Sequence, residues 1–156
     1  VAVLWFTLFQ MAMDGMSQAD MLPEQVKEEA VAAFEAEDWE LAHRRFAELL
    51  SLDGTDAELQ MRYAATLLHD ARLRNEGIQR LASMANQGTL SPEGLYWWGR
   101  AWMLQGEPEE AEKSLRQALG LAGKKTKWKE YAQLALDQCR SSLFDEIRAV
   151  IVQDDM

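Results

Sequence analysis

The sequence predicts an all-α fold, a right-handed α-solenoid of antiparallel helix pairs with about three repeats and terminal helices. Helix-favouring residues dominate the 156 residues, only three are proline, and no long alternation of β-branched residues occurs. Apolar residues recur instead with the spacing of amphipathic helices. Small residues at Ala42, Gly77 and Ala111 are separated by 35 and 34 positions, a period typical of stacked helical repeats.

Two helices are predicted in the first third of the chain. Pro23 suits a first helical position, because the N–H that proline lacks would have no helical partner there. The apolar residues that follow it, up to about residue 37, lie on one helical face. A second apolar stripe begins at Trp39 and ends before Asp53-Gly54, a dipeptide that marks a turn.

The next two predicted helices are less regular. Residues 57–69 carry apolar side chains at helical spacing, and the polar residues 70–75 then indicate a loop or a frayed end. A fourth apolar stripe runs from Ile78 to Ala85 and is closed by Gly88. These two stripes predict the second helix pair.

The clearest helix pair follows Ser91. The Ser91 hydroxyl can cap a helix, Pro92 fits the first turn, and Glu93 favours the positive end of the helix. A turn at Gly106–Pro108 separates this helix from the next one, which Pro108 opens.

The last part of the chain predicts two further helices. Gly120 and Gly123 indicate a loop after the third pair. Apolar residues at helical spacing then predict a seventh helix at 128–140 and an eighth at 143–152.

The period resembles that of the tetratricopeptide repeat, a helix–turn–helix unit of about 34 residues with small residues where its two helices cross. The family pattern is matched best by Leu95, Trp98, Gly99, Trp102, Ala111, Leu115 and Ala118. The middle unit has Gly77 where alanine is usual. The resemblance implies repeats at about residues 23–56, 57–91 and 92–125, a partial repeat at 126–140 and a terminal helix at 143–152. It also implies a role in protein–protein interaction without catalysis.

Charge and side-chain chemistry argue against several classes of function. The net charge of −10 and the pI of about 4.7 do not suit a nucleic-acid-binding protein, which needs a dense basic surface. Four lysines between residues 124 and 129 are interpreted as a solvated loop. His43 and His69 lack further ligands at metal-binding spacing, Cys139 is the sole cysteine, and no catalytic motif occurs. We therefore expect no enzyme, no metal and no cofactor.

A partner groove is predicted on the first helices of the pairs, which line the concave side of a stack. Aromatic and apolar side chains interspersed with cations suit an extended peptide or a short helix with acidic groups. Of two adjacent tryptophans, we expect Trp98 in the core and Trp97 in the groove. The predicted groove residues are Lys27, Val31, Phe34, Met61, Arg62, Leu68, Tyr96, Trp97, Arg100, Met103 and Lys129.

Alternatives to peptide binding remain open. The same residues can belong to the core or contact a terminal helix of the same chain. The chain can also be a structural spacer that packs on a following envelope domain. Some members of the family grip the C-terminal carboxylate of chaperones with Lys and Asn side chains. Only Lys27 fits that clamp, since Val31, Arg62 and Trp97 stand where polar partners are needed.

An uncharged apolar run occupies residues 1–13. It is shorter than the about 20 residues of a membrane-spanning helix and suits the apolar core of a secretory signal. Ser17 and Ala19 lie where a signal peptidase reads small residues, so residues 1–19 are predicted as a signal peptide and 20–156 as the mature domain. The alternative is a buried N-terminal helix. We expect a periplasmic or outer-membrane-associated protein without a transmembrane helix in the mature chain, the alternative location being cytoplasmic.

A weaker resemblance concerns the order of these features. A signal, repeat units and a final helix with a cysteine near its end (QLALDQCRSSLFDE) are similar to the N-terminal part of certain bacterial envelope proteins. In those proteins a tetratricopeptide region precedes a propeller and a peptidoglycan-binding domain similar to that of outer membrane protein A. Some of them take part in gliding and secretion machinery. The resemblance implies a protein partner in an envelope or outer-membrane complex.

Overall fold

The computed structural model describes residues 21–123 and 126–154, and only the backbone of residues 143, 144 and 146–154. These ranges contain seven helices and no strand, which confirms the predicted all-α fold class. The helices are α1 (Pro23–Glu35), α2 (Trp39–Leu52), α3 (Ala57–Leu67), α4 (Arg74–Asn86), α5 (Pro92–Leu104), α6 (Pro108–Leu121) and α7 (Lys127–Asp154). None of these helices combines the length and the apolar run that crossing a bilayer requires. The predicted signal peptide lies outside the described residues.

The described residues divide into two compact units, with the boundary between Thr55 and Asp56. In the first unit, α1 and α2 pack against each other as a hairpin, because only three residues connect them. Phe34 holds the pair together at one end. Its ring packs edge-on against those of Trp39 and Phe46, with centroids 5.5 and 5.9 Å apart.

In the second unit, α3 pairs with α4 and α5 pairs with α6, while α7 packs on both α5 and α6. The first helices of successive pairs also touch, since α5 contacts α3 as well as α7. Ser91 caps α5 as predicted, because its hydroxyl accepts a hydrogen bond from the Gly94 N–H at 3.2 Å. The core formed by the last three helices consists of Leu95, Leu115, Ala118, Ala132, Ala135 and Leu136.

Two glycines allow the paired helices of this unit to approach closely. A Cβ at Gly99 would lie 2.7 Å from the Cγ of Leu115, a fully buried side chain. A Cβ at Gly77 would lie 2.7 Å from the carbonyl oxygen of Ala64, a backbone atom that cannot swing aside. The departure of Gly77 from the usual alanine therefore matches the short distance between α3 and α4.

The C-terminal helix differs from the prediction. The sequence predicts separate helices at 128–140 and 143–152, but the structure has one continuous helix, Lys127–Asp154. No glycine or proline occurs in this range. The Ser142 hydroxyl donates to the backbone carbonyl of Gln138 at 3.2 Å, a bond made within the helix. The two serines therefore interrupt the apolar pattern without ending the helix.

Candidate interaction site

An aromatic cluster lies in the second unit where α5 meets the first helices on either side of it. The name refers to the side chains of His69, Tyr96, Trp97, Trp128 and Tyr131. The histidine follows the end of α3, the next two residues lie on α5, and the last two lie on α7. Aromatic rings therefore join α5 to α7 and to the turn that follows α3.

Tyr96 is the centre of this cluster. Its ring centroid lies 5.0 Å from that of Trp97, 5.6 Å from that of Trp128 and 6.0 Å from that of Tyr131. The ring of Trp97 meets the imidazole of His69 edge-on, with centroids 5.7 Å apart. Ring pairs of this kind stabilise by about 0.5–1.5 kcal/mol beyond the area they bury. The rings therefore hold one another in place.

Burial on α5 reverses the assignment of the two tryptophans. We expected Trp98 in the core and Trp97 in the groove, and the burial of the two side chains contradicts this. Trp97 is only 8 % exposed, whereas Trp98 is half-buried against Trp102, with ring centroids 4.8 Å apart. The reason is that α5 packs on α3 and α7 as well as on α6, so its first-helix side is also an interior side. Tyr131, which is 44 % exposed, presents the cluster to solvent.

Two guanidinium groups lie beside the aromatic cluster. Arg100, one turn after Trp97 on α5, donates from Nη1 to the Oε1 of Gln138 on α7 at 3.2 Å. Arg74, at the start of α4, donates from Nε to the carbonyl oxygen of Leu68 at 2.9 Å. Among the described residues, neither arginine has a carboxylate oxygen within 4.0 Å.

The charges of both guanidinium groups act on the imidazole of His69. Desolvation of the ring lowers its pKa, and the charges of Arg100 and Arg74 lower it further, to about 4. The ring is therefore neutral at neutral pH. A negatively charged group placed beside it would be attracted by both guanidinium groups.

Arg62, predicted as a groove cation, instead pairs with a buried carboxylate. Its Nε and Nη2 donate to the two side-chain oxygens of Glu93, each at 3.2 Å, and Nη2 also lies 3.0 Å from Glu58. The Glu93 side chain is only 8 % exposed. Burial raises the pKa of Glu93, and the hydrogen bonds and charge of Arg62 oppose that rise. Arg62 therefore ties α3 to the first turn of α5.

The other predicted groove residues divide by burial. Three are core residues, as one of the alternatives anticipates: Phe34, Met61 and Leu68. Lys27 and Lys129 are exposed, and Val31 and Met103 are half-buried. Tyr96 and Arg100 are half-buried, and they are the two that the structure brings to the accessible part of the aromatic cluster.

The sequence-based prediction missed four residues around this cluster: His69, Arg74, Trp128 and Tyr131. Trp128 and Tyr131 are spaced i,i+3, which places both on one helix face and is the signal that indicates a shared contact. His69 and Arg74 carry no local signal, because only the tertiary structure brings the segment after α3 to α5.

The described residues were also searched for metal-binding groups and for a reactive cysteine. Within the part of the chain that the structure describes, no group of three His, Cys, Asp or Glu side chains could hold a metal ion. Cys139 is buried, and burial raises the pKa of its thiol. Its Sγ donates to the carbonyl oxygen of Pro108 at 2.7 Å, joining α7 to α6.

A family model described as tetratricopeptide repeat matches residues 92–124. The match spans α5 and α6, the pair that carries Tyr96, Trp97 and Arg100. Repeats of this family typically act as non-catalytic modules for protein–protein interaction. A comparison with curated proteins gave no significant match.

Proposed function

We propose that this protein is a non-catalytic interaction module that binds a peptide segment of a partner protein at the aromatic cluster of its second unit. The observation that carries the proposal is a set of packed rings that joins α5 to α7 and to the turn after α3, and that reaches solvent at Tyr131. Leu134, one turn further along α7, is 62 % exposed and extends the apolar surface. The tetratricopeptide match supports protein partners in general.

The chemistry of this surface suits an extended segment or a short helix. Aromatic side chains contribute a large part of the binding energy in many protein interfaces. Binding costs free energy when side chains must be ordered. Tyr131 packs at 5.6 Å from Trp128, and Tyr96 touches both, so little additional ordering is needed. We place the bound segment across α3, α5 and α7.

Tyr131→Ser tests the proposal. Peptides would first be selected from a displayed random library against the full chain, and their affinities measured by fluorescence anisotropy. We expect the selected peptides to bind the Tyr131→Ser variant about tenfold more weakly, because an aromatic contact that is already ordered is lost. The fold should survive, since Tyr131 is 44 % exposed.

Leu121→Ser is the matched control for this experiment. Leu121 is 60 % exposed at the end of α6, so its replacement also removes an exposed apolar side chain. Peptide affinity should equal that of the wild type. Failure to select any peptide, or equal affinity in both variants, would count against the proposal. Either result would favour a structural spacer that packs on a following envelope domain.

We also propose that the protein acts in the bacterial envelope, in the periplasm or in an outer-membrane-associated complex. The support is the apolar run at 1–13 followed by Ser17 and Ala19. The mature protein isolated from its own cells is expected to begin at Asp20, which mass spectrometry of the N-terminal peptide would show. A first residue upstream of Asp20 would contradict cleavage at this point and would favour the cytoplasmic alternative.

A further inference from the structure

We infer that Arg74, Arg100 and His69 form a subsite for a carboxylate, and that the peptide bound at the aromatic cluster places an aspartate or glutamate side chain there. This inference rests on the proposed function and adds the chemistry of the bound segment. The three residues come from different parts of the chain: His69 from the turn after α3, Arg74 from the start of α4 and Arg100 from the middle of α5.

Both guanidinium groups are held in position but keep unused donors. The guanidinium of arginine carries several N–H donors. With the described residues, Arg74 hydrogen-bonds only through Nε, to the carbonyl oxygen of Leu68, and Arg100 only through Nη1, to Gln138. Their remaining N–H groups are free to bind the oxygens of a carboxylate through charge-assisted hydrogen bonds.

Both arginines lie near His69. Arg74 is bonded to the carbonyl of the residue before His69. Arg100 follows, by one turn of α5, the Trp97 ring that contacts the imidazole. The fields of both guanidinium groups reach the imidazole and help to keep it neutral. Asp70, which adjoins His69 in sequence, is bonded to Arg72 at 3.0 Å.

Arg74 and Arg100 differ from most other arginines of this acidic chain, because no carboxylate of the described residues pairs with them. Most described arginines have a carboxylate oxygen within 4.0 Å, namely Arg45, Arg62, Arg72, Arg80, Arg116 and Arg140. Arg74 and Arg100 have none among the described residues, and neither does Arg44, which is exposed, although the protein carries a net charge of −10. The surrounding negative charge repels acidic segments in general, so a local positive site selects a carboxylate at one point.

The first test compares acidic peptides with their amides. Selected peptides that contain aspartate or glutamate would be resynthesised with asparagine or glutamine. We expect the wild type to bind the amides about tenfold or more weakly. Arg74→Gln and Arg100→Gln should each lose most of this preference. Arg80→Gln is the matched control, because Arg80 lies on α4 with Arg74 but pairs with Glu76.

The second test measures the pKa of His69 by NMR, and it leaves all three residues of the subsite unchanged. The chain has two histidines, so His43→Gln leaves the imidazole of His69 as the sole histidine signal in NMR. A bound aspartate peptide should raise the pKa of His69 by about one pH unit or more, because a nearby negative charge favours the imidazolium. The asparagine peptide should leave that pKa nearly unchanged.

The outcomes separate this inference from the proposed function. Equal affinity for acid and amide peptides, or an unchanged pKa of His69 with the aspartate peptide bound, overturns the carboxylate subsite. Peptide binding at the aromatic cluster would still stand in either case. Selection of no peptide at all overturns both.

Discussion

Gly77→Ala is expected to destabilise the second unit by about 2–3 kcal/mol. The added Cβ would lie 2.7 Å from the carbonyl oxygen of Ala64 and 2.9 Å from the Cβ of Leu67. Both atoms are fixed to the backbone of α3, so α3 and α4 must move apart. Alanine is favoured over glycine inside helices by about 1 kcal/mol, which is less than this cost. Urea unfolding followed by far-UV circular dichroism should show a lower midpoint.

Gly120→Ala is the control for that substitution. The chemical change is the same and Gly120 also lies in a helix, α6, but a Cβ there meets nothing within 4 Å. Helix propensity then acts alone, and stability should equal or slightly exceed that of the wild type. If Gly77→Ala and Gly120→Ala had the same free energy of unfolding, the prediction would be wrong. Residue 77 would then tolerate a Cβ despite the close approach of α3 and α4.

Arg62→Met is expected to cost about 3–5 kcal/mol at neutral pH, because it leaves the carboxylate of Glu93 buried without its main partner. The Glu93 side chain is 8 % exposed, and both of its oxygens accept hydrogen bonds from Arg62. The free energy of unfolding from urea titration would measure the loss. If Arg62 were instead a solvated groove cation, its removal would change stability by about 0.5 kcal/mol or less.

The pH dependence of this variant gives an independent check. Burial raises the pKa of Glu93 in the folded protein, and removing Arg62 raises it further. For an acid whose folded pKa lies above its unfolded value, the destabilisation is complete above the folded pKa. It is relieved as the pH falls through that value. The deficit of Arg62→Met should therefore shrink as the medium is acidified, and Arg62→Met/Glu93→Leu should recover most of it at neutral pH.

These two positions also bear on the candidate site. Gly77 sets the distance of α4 from α3, and Arg62 ties α3 to the start of α5. The same three helices, with the turn that follows α3, also bring Arg74, His69 and Trp97 together. Stability and recognition in the second unit therefore depend on one arrangement of helices.

Caps and turns were predictable from the sequence wherever the interaction that forms them involves only residues a few positions apart. Ser91 caps α5 because a hydroxyl at that position bonds an N–H three residues later, and no distant contact is needed. The turn at Gly106 follows from its φ of 75°, a region that glycine enters at little cost. The continuity of α7 was missed because two serines resemble a break in the apolar pattern, although they can remain helical.

The candidate site was predictable only in part. Tyr96 and Arg100, which lie at the aromatic cluster, are among the predicted groove residues because the repeat pattern places them outside the crossing of α5 with α6. The role of Arg62 was missed because its partner, Glu93, lies 31 positions away along the chain. The burial of Trp97 was missed because it depends on α3 and α7, whose positions no pattern within α5 can indicate.

The sequence by itself determined the all-α class, the helix pairs, their period and the clearest repeat. Periodicity, capping and turn chemistry are local properties, and a single chain displays them directly. Only the tertiary structure decided which α5 side chains are interior, which arginines are paired, and that His69 and Arg74 lie beside Arg100. Those facts depend on the distances between helices. Close packing fixes these distances, and at Gly77 it leaves no room even for an added methyl group.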